Sequence, residues 1–151
     1  NQGTPHLTII CPVYQEENTV PLFYKRIRKI FDEISDYYEP NLLFVDNNSQ
    51  DNTQQIVREL CEKDPRVFCI VQSCNGGHQR SLECGLKNAY GDLFAIIDVD
   101  CEDPPEMLLD FLQEYENGND IVYGERVDRD EFFLIKLTRK LFYRLFHDRF
   151  G

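Results

Sequence analysis

Short apolar runs alternate along this chain with longer segments in which apolar residues return every three or four positions. Residues 7–13 read as a strand buried on both faces. Val20, Phe23, Ile27, Ile30, Phe31 and Ile34 then recur at helical spacing, with Pro21 where a first helical turn tolerates it. Residues 42–45 predict a second strand, after which Ser49, Asp51 and Asn52 offer N-caps for a helix carrying Ile56, Val57 and Leu60. A third strand is expected at residues 67–71, a Gly-rich turn leads into a helix over 80–89, and a fourth strand spans 93–97. The Pro104-Pro105 pair starts another helix, and residues 121–123 form a short fifth strand.

Strands alternating with helices predict an α/β fold with a mainly parallel sheet covered on both faces. In such folds ligands bind beyond the carboxyl ends of the strands. The unusual polar residues of this chain follow that rule. Segments 12–17, 46–51, 75–79, 98–103 and 124–126 each come directly after a predicted strand, so five loops are expected to converge on one edge of the sheet.

Composition narrows the reading. A chain of 151 residues with 42% hydrophobic and 13% aromatic content has the apolar side chains for one packed core, which sets disorder aside. A formal charge of −11 argues against a general nucleic-acid binder, which needs a basic footprint. The six cysteines contain no Cys-x-x-Cys pair, and Cys11 and Cys69 sit inside strand-like apolar runs. They read as reduced core thiols of a cytosolic compartment. No apolar run approaches the ~20 residues of a spanning helix, so the polypeptide as given reads as soluble or peripheral. Charge is also unevenly placed. Between Asp92 and Asp120 there are ten acidic residues and no Lys or Arg, whereas between Lys136 and Arg149 there are five basic residues and one acidic one.

The sharpest chemical feature is Asp98-Val99-Asp100-Cys101-Glu102-Asp103-Pro104-Pro105-Glu106. An Asp-x-Asp at a strand's end puts two carboxylates on one side of an extended backbone. Clustered carboxylates repel unless a cation or protons intervene, and hard oxygen ligands favour Mg²⁺ or Mn²⁺ with positions left open for a diphosphate. The plainer alternative is an Asp-rich turn before a proline-started helix. Asp46 ends the second strand, where a carboxylate can accept from a nucleobase N–H or ribose hydroxyls; Ser49 and Asp51 beside it are explained by capping and an Asx turn. Asn75-Gly76-Gly77-His78-Gln79 lets backbone approach a ligand closely and leads into a helix start that favours anions. Downstream, Leu134, Leu137, Leu141, Phe142, Leu145 and Phe146 form an apolar stripe flanked by Lys136, Arg139, Lys140, Arg144 and Arg149. Residues 132–150 thus read as a basic amphipathic helix, suited to an anionic membrane surface or to packing on the sheet.

Taken in order, Pro12-Val13-Tyr14-Gln15-Glu16-Glu17-Asn18, Val45-Asp46-Asn47-Asn48-Ser49-x-Asp51-x-Thr53, Asn75-x-Gly77-His78-Gln79, Asp98-x-Asp100-x-x-Asp103-Pro104-Pro105-Glu106 and Gly124-x-Arg126 resemble family 2 glycosyltransferases of the GT-A fold. Within them the chain is similar to the polyprenyl- or dolichyl-phosphate branch. The resemblance implies a nucleotide-sugar domain over residues 1–130 and an amphipathic helix over 131–151 leading toward acceptor or membrane sequence. It implies that Pro12, Tyr14, Glu16, Asp46, Gly77 and Asp98 hold a UDP- or GDP-sugar, with UDP favoured. Asp98, Asp100 and Glu102 would bind Mg²⁺ or Mn²⁺, with Asp100, Asp103 and Arg126 at the reaction centre. Arg126 and Arg139 would clamp a polyprenyl-phosphate acceptor at the inner, cytoplasmic face of a membrane. Many relatives carry Asp where this chain has Asn47, and often Gln where it has Glu102. Two other readings are a family 2 transferase acting on a glycan hydroxyl and a non-catalytic nucleotide- or Mg²⁺-binding regulatory module.

Overall fold

The computed structural model describes residues 3–125. Among them, four strands and four helices alternate strictly: β1 (His6–Val13), α1 (Val20–Ile34), β2 (Glu39–Asp46), α2 (Thr53–Lys63), β3 (Val67–Val71), α3 (His78–Asn88), β4 (Leu93–Ile96) and α4 (Met107–Glu116). The sheet is parallel throughout, in the order β3-β2-β1-β4. The chain divides into two compact units, Asn1–Gly118 and Asn119–Gly151, and all eight elements belong to the first.

β1 is one of the two inner strands and shows why a continuous apolar run was needed. Leu7, Ile9, Cys11 and Val13 face one side, where they meet Phe23, Ile27 and Phe31 of α1, Val57 of α2, and Leu108 and Leu112 of α4. Ile10 faces the other side with Leu43 and Val45 of β2, under Cys84 and Ala89 at α3. The split follows the two-residue period of a strand. The six apolar residues that set the helical spacing of the first helix are also its buried residues. α3 lies especially close to the sheet, because a Cβ at Gly85 would stand 2.4 Å from Ile10 Cγ2. Glycine is required there by packing alone.

Two sequence expectations change. β2 begins at Glu39, three residues before the predicted start, because Glu39 N–H donates to Pro5 O at 2.9 Å and Pro40 pairs in register with Leu7. Tertiary pairing here overrides the low strand propensity of Glu-Pro-Asn. Residues 121–123 do not form a strand; Ile121 and Tyr123 are 84% and 79% exposed. Three residues supply too few ladder hydrogen bonds to offset the ordering of their backbone. The amphipathic helix expected at 132–150 lies outside the described residues, as do Arg126 and Arg139. Among the described residues, no helix is long and apolar enough to cross a membrane.

Candidate functional site

Because the strands are parallel and in register, their carboxyl ends share one edge of the sheet. Val13 at the end of β1 pairs with Asp46 at the end of β2, and Asp46 pairs with Val71 at the end of β3. The loops that follow are tied to one another. Gln15 N–H donates to Ser49 Oγ at 3.0 Å, Glu16 N–H to Thr53 Oγ1 at 2.8 Å and Glu17 N–H to Asp51 Oδ2 at 3.3 Å. In return, Asn52 donates to Glu17 Oε2 from both its backbone and its side chain. Asp51 Oδ1 also accepts from Thr53 N–H, the expected Asx turn. These bonds hold Gln15 in a left-handed conformation, φ 56°, which turns the loop after β1 back across the sheet edge.

The result is an open cleft of ≈ 370 Å³ that gathers six of the predicted site residues: Pro12, Tyr14, Glu16, Gly77, Asp98 and Asp100. Asn47, Asn75, His78 and Ser81 line it as well. Ser81 gave no signal in the sequence beyond being a small polar residue one turn into α3. Gly77 adopts φ 84°, ψ 165°, a region open in practice only to glycine, while a Cβ at Gly76 would meet only the exposed, flexible Arg80 side chain.

Asp46 lies just behind the cleft, wholly buried, between cleft residues Val13 (its strand partner) and Asn47. Its Oδ2 accepts from Ser49 N–H at 3.0 Å, but its Oδ1 is buried without a partner. A buried carboxylate oxygen with no donor is costly, and such an atom marks a place where a ligand N–H or O–H would be welcome.

Asp98 and Asp100 line the acidic side of the cleft. Asp98 Oδ1 is 4.0 Å from His78 Nε2 across it. Asp100 Oδ1 accepts from Glu102 N–H at 2.9 Å, which fixes the turn, and the neighbouring Cys101 has φ 56°. Glu102 and Asp103 are not among the lining residues. Glu106 is drawn away by a two-pronged pairing with Arg26 of α1, which holds its carboxyl below the usual range. Beneath the acidic pair, burial pushes the Cys11 thiol well above its usual range and the charge of Asp98 adds to this, so Cys11 is inert. Among the described residues, no three His, Cys, Asp or Glu side chains converge as a complete cage. Two open carboxylates do suit a hard divalent cation that keeps its other positions for water and a substrate's phosphates.

Comparison with known proteins gives a consistent picture. The family described as "Glycosyl transferase family 2" matches residues 8–149. The "Uncharacterized glycosyltransferase YkcC" of Bacillus subtilis (strain 168) is 39% identical over 139 residues, 91% of this chain and 42% of that protein. The "Prophage bactoprenol glucosyl transferase homolog" of Escherichia coli (strain K12) is 34% identical over 140 residues, 92% of this chain and 45% of that protein. The chain thus spans less than half the length of these curated relatives. Among solved structures, a mannosyltransferase from Pyrobaculum calidifontis in complex with GDP-Man and Mn²⁺ superposes with a TM-score of 0.55 at 27% identity, covering 72% of this chain and 31% of that one.

Proposed function

The chain belongs to glycosyl transferase family 2, and on that premise we propose that it carries the donor site of an inverting glycosyltransferase that moves a sugar from a nucleotide-sugar to a polyprenyl phosphate at the cytoplasmic face of a membrane. Its parallel β3-β2-β1-β4 sheet is the GT-A arrangement. The observation that carries the proposal is the cleft itself: a buried carboxylate with one orphan oxygen behind it, and two open carboxylates on its acidic side.

In this reading Asp46 recognises the base. Its buried Oδ1 lacks a partner, whereas Oδ2 already holds Ser49 N–H. One acceptor matches the single imide N–H of uracil better than the paired donors of guanine, so UDP is favoured over GDP. Pro12, Tyr14 and Glu16 flank the nucleoside, and Gly77 lets the backbone at the start of α3 approach the diphosphate. Asp98 and Asp100 would hold Mg²⁺ or Mn²⁺, which when bound neutralises charge on the departing nucleoside diphosphate. The Mn²⁺ and GDP-Man in the Pyrobaculum complex support a divalent ion with a nucleotide-sugar donor in general.

The bactoprenol glucosyl transferase name of a relative supports a lipid-phosphate acceptor. A phosphate monoester, with a second pKa near ~6, is already ionised at neutral pH and needs positioning more than a strong general base. Arg126 and Arg139 are assigned that positioning role, Asp103 a place beside Asp100 at the reaction centre, and Glu102 a further ligand role. Asp100→Asn in the intact protein is expected to reduce Mn²⁺-dependent transfer to polyprenyl phosphate by at least ~10²-fold with an unchanged thermal midpoint. Near-parental turnover would overturn the metal assignment. A soluble sugar used in preference to the lipid phosphate would instead favour a hydroxyl acceptor.

A further inference from the structure

Adjacent residues at the end of β2 meet the cleft in opposite ways. Asp46 keeps one buried oxygen without a partner, whereas both polar atoms of Asn47 are engaged. Asn47 Oδ1 accepts from Gly76 N–H at 2.9 Å, and Asn47 Nδ2 donates to Asn75 Oδ1 at 2.8 Å. Asn75 Oδ1 also accepts from Gly77 N–H at 3.0 Å. The two backbone N–H groups fix the orientation of both side-chain amides, since each requires an oxygen. What then faces Asn75 Oδ1 from position 47 must be a donor. A carboxylate at 47 would keep the Gly76 bond but set a negative oxygen against Asn75 Oδ1.

We propose that Asn47 is a positioning residue for the donor: through Asn75 it holds the Gly76–Gly77 turn in the shape that receives the diphosphate at the start of α3. The inference rests on reading the cleft as the nucleotide-sugar site. Asn47 is 5% exposed, and the turn it helps to hold includes Gly77 at an unusual φ of 84°. The amide also adds no charge to the cleft, while Asp98 and Asp100 already bring negative charge to the place a diphosphate would occupy.

The test uses the intact protein, Asn47→Asp, and the paired change Asn47→Asp with Asn75→Ser. A hydroxyl at 75 can donate to the new carboxylate and accept from Gly77 N–H. Two readouts are taken: hydrogen exchange over residues 74–78 without nucleotide, and affinity for UDP and GDP with Mn²⁺. Asn47→Asp is expected to speed exchange at Gly77 and to weaken binding of the preferred nucleotide about tenfold, and the paired change to restore most of both. An affinity within twofold of the parent's in Asn47→Asp would overturn the positioning role, whether or not exchange changes. A parent that binds neither nucleotide removes the donor reading and the positioning role with it, and the exchange data then show separately whether the amide pair holds the turn.

Discussion

Asp46 and Asn47 differ by one atom and divide two tasks. Asp46 leaves a buried oxygen open, which costs stability in the protein without its ligand; Asn47 spends its polar atoms on the fold. Asp46→Asn is therefore expected to hold or raise the thermal midpoint while weakening nucleotide affinity at least tenfold, as measured by melting and titration side by side. Loss of stability without loss of affinity would show that Asp46 is structural. Of these two residues the sequence made only the first legible. A carboxylate at a strand's end is conspicuous by type, whereas the role of Asn47 depends on a partner 28 positions away, which no local periodicity encodes.

At the scale of elements, the junction of α1, α2 and β3 is held by one charged network. Asp64, at the end of α2, accepts from Tyr24 Oη at 2.9 Å and from Arg66 Nε at 3.0 Å, and Arg66 lies over the Phe31 ring of α1. Bonding to Arg66 holds the Asp64 carboxyl down at about 2, from an ordinary value of 3.8. A depressed carboxylate stabilises the fold fully above its unfolded pKa and loses that contribution as pH falls through the folded one. The expected loss is about 2 kcal/mol between pH ~4 and ~2. Unfolding followed across that window should show a shallower acid dependence in Asp64→Asn than in the parent; equal slopes would contradict the assignment. The elements themselves were largely readable, because β1 is a continuous apolar run and α1 carries a clean period of three to four. The predicted strand at 121–123 fails for lack of length, and the early start of β2 was hidden because Pro40 is admitted only by its pairing with Leu7.

For the whole molecule, the decisive feature is that an acidic protein of net charge −11 concentrates carboxylates where it is proposed to bind an anion. A cation between the two would offset that repulsion. The convergence of loops after the strands could be anticipated from the alternating pattern, and six of the predicted residues do meet in one cleft. What the pattern could not show is that Ser49, Asp51 and Thr53 lace two of those loops together, since they act through backbone N–H groups across 34 to 37 positions. The most direct test of the donor site is calorimetric titration of the intact protein with UDP and with GDP, with and without Mn²⁺, alongside Asp98→Ala. Binding of UDP in preference to GDP, dependent on Mn²⁺ and lost in Asp98→Ala, is the predicted result; binding unaffected by Mn²⁺ and by Asp98→Ala, or no binding of either nucleotide, would contradict it.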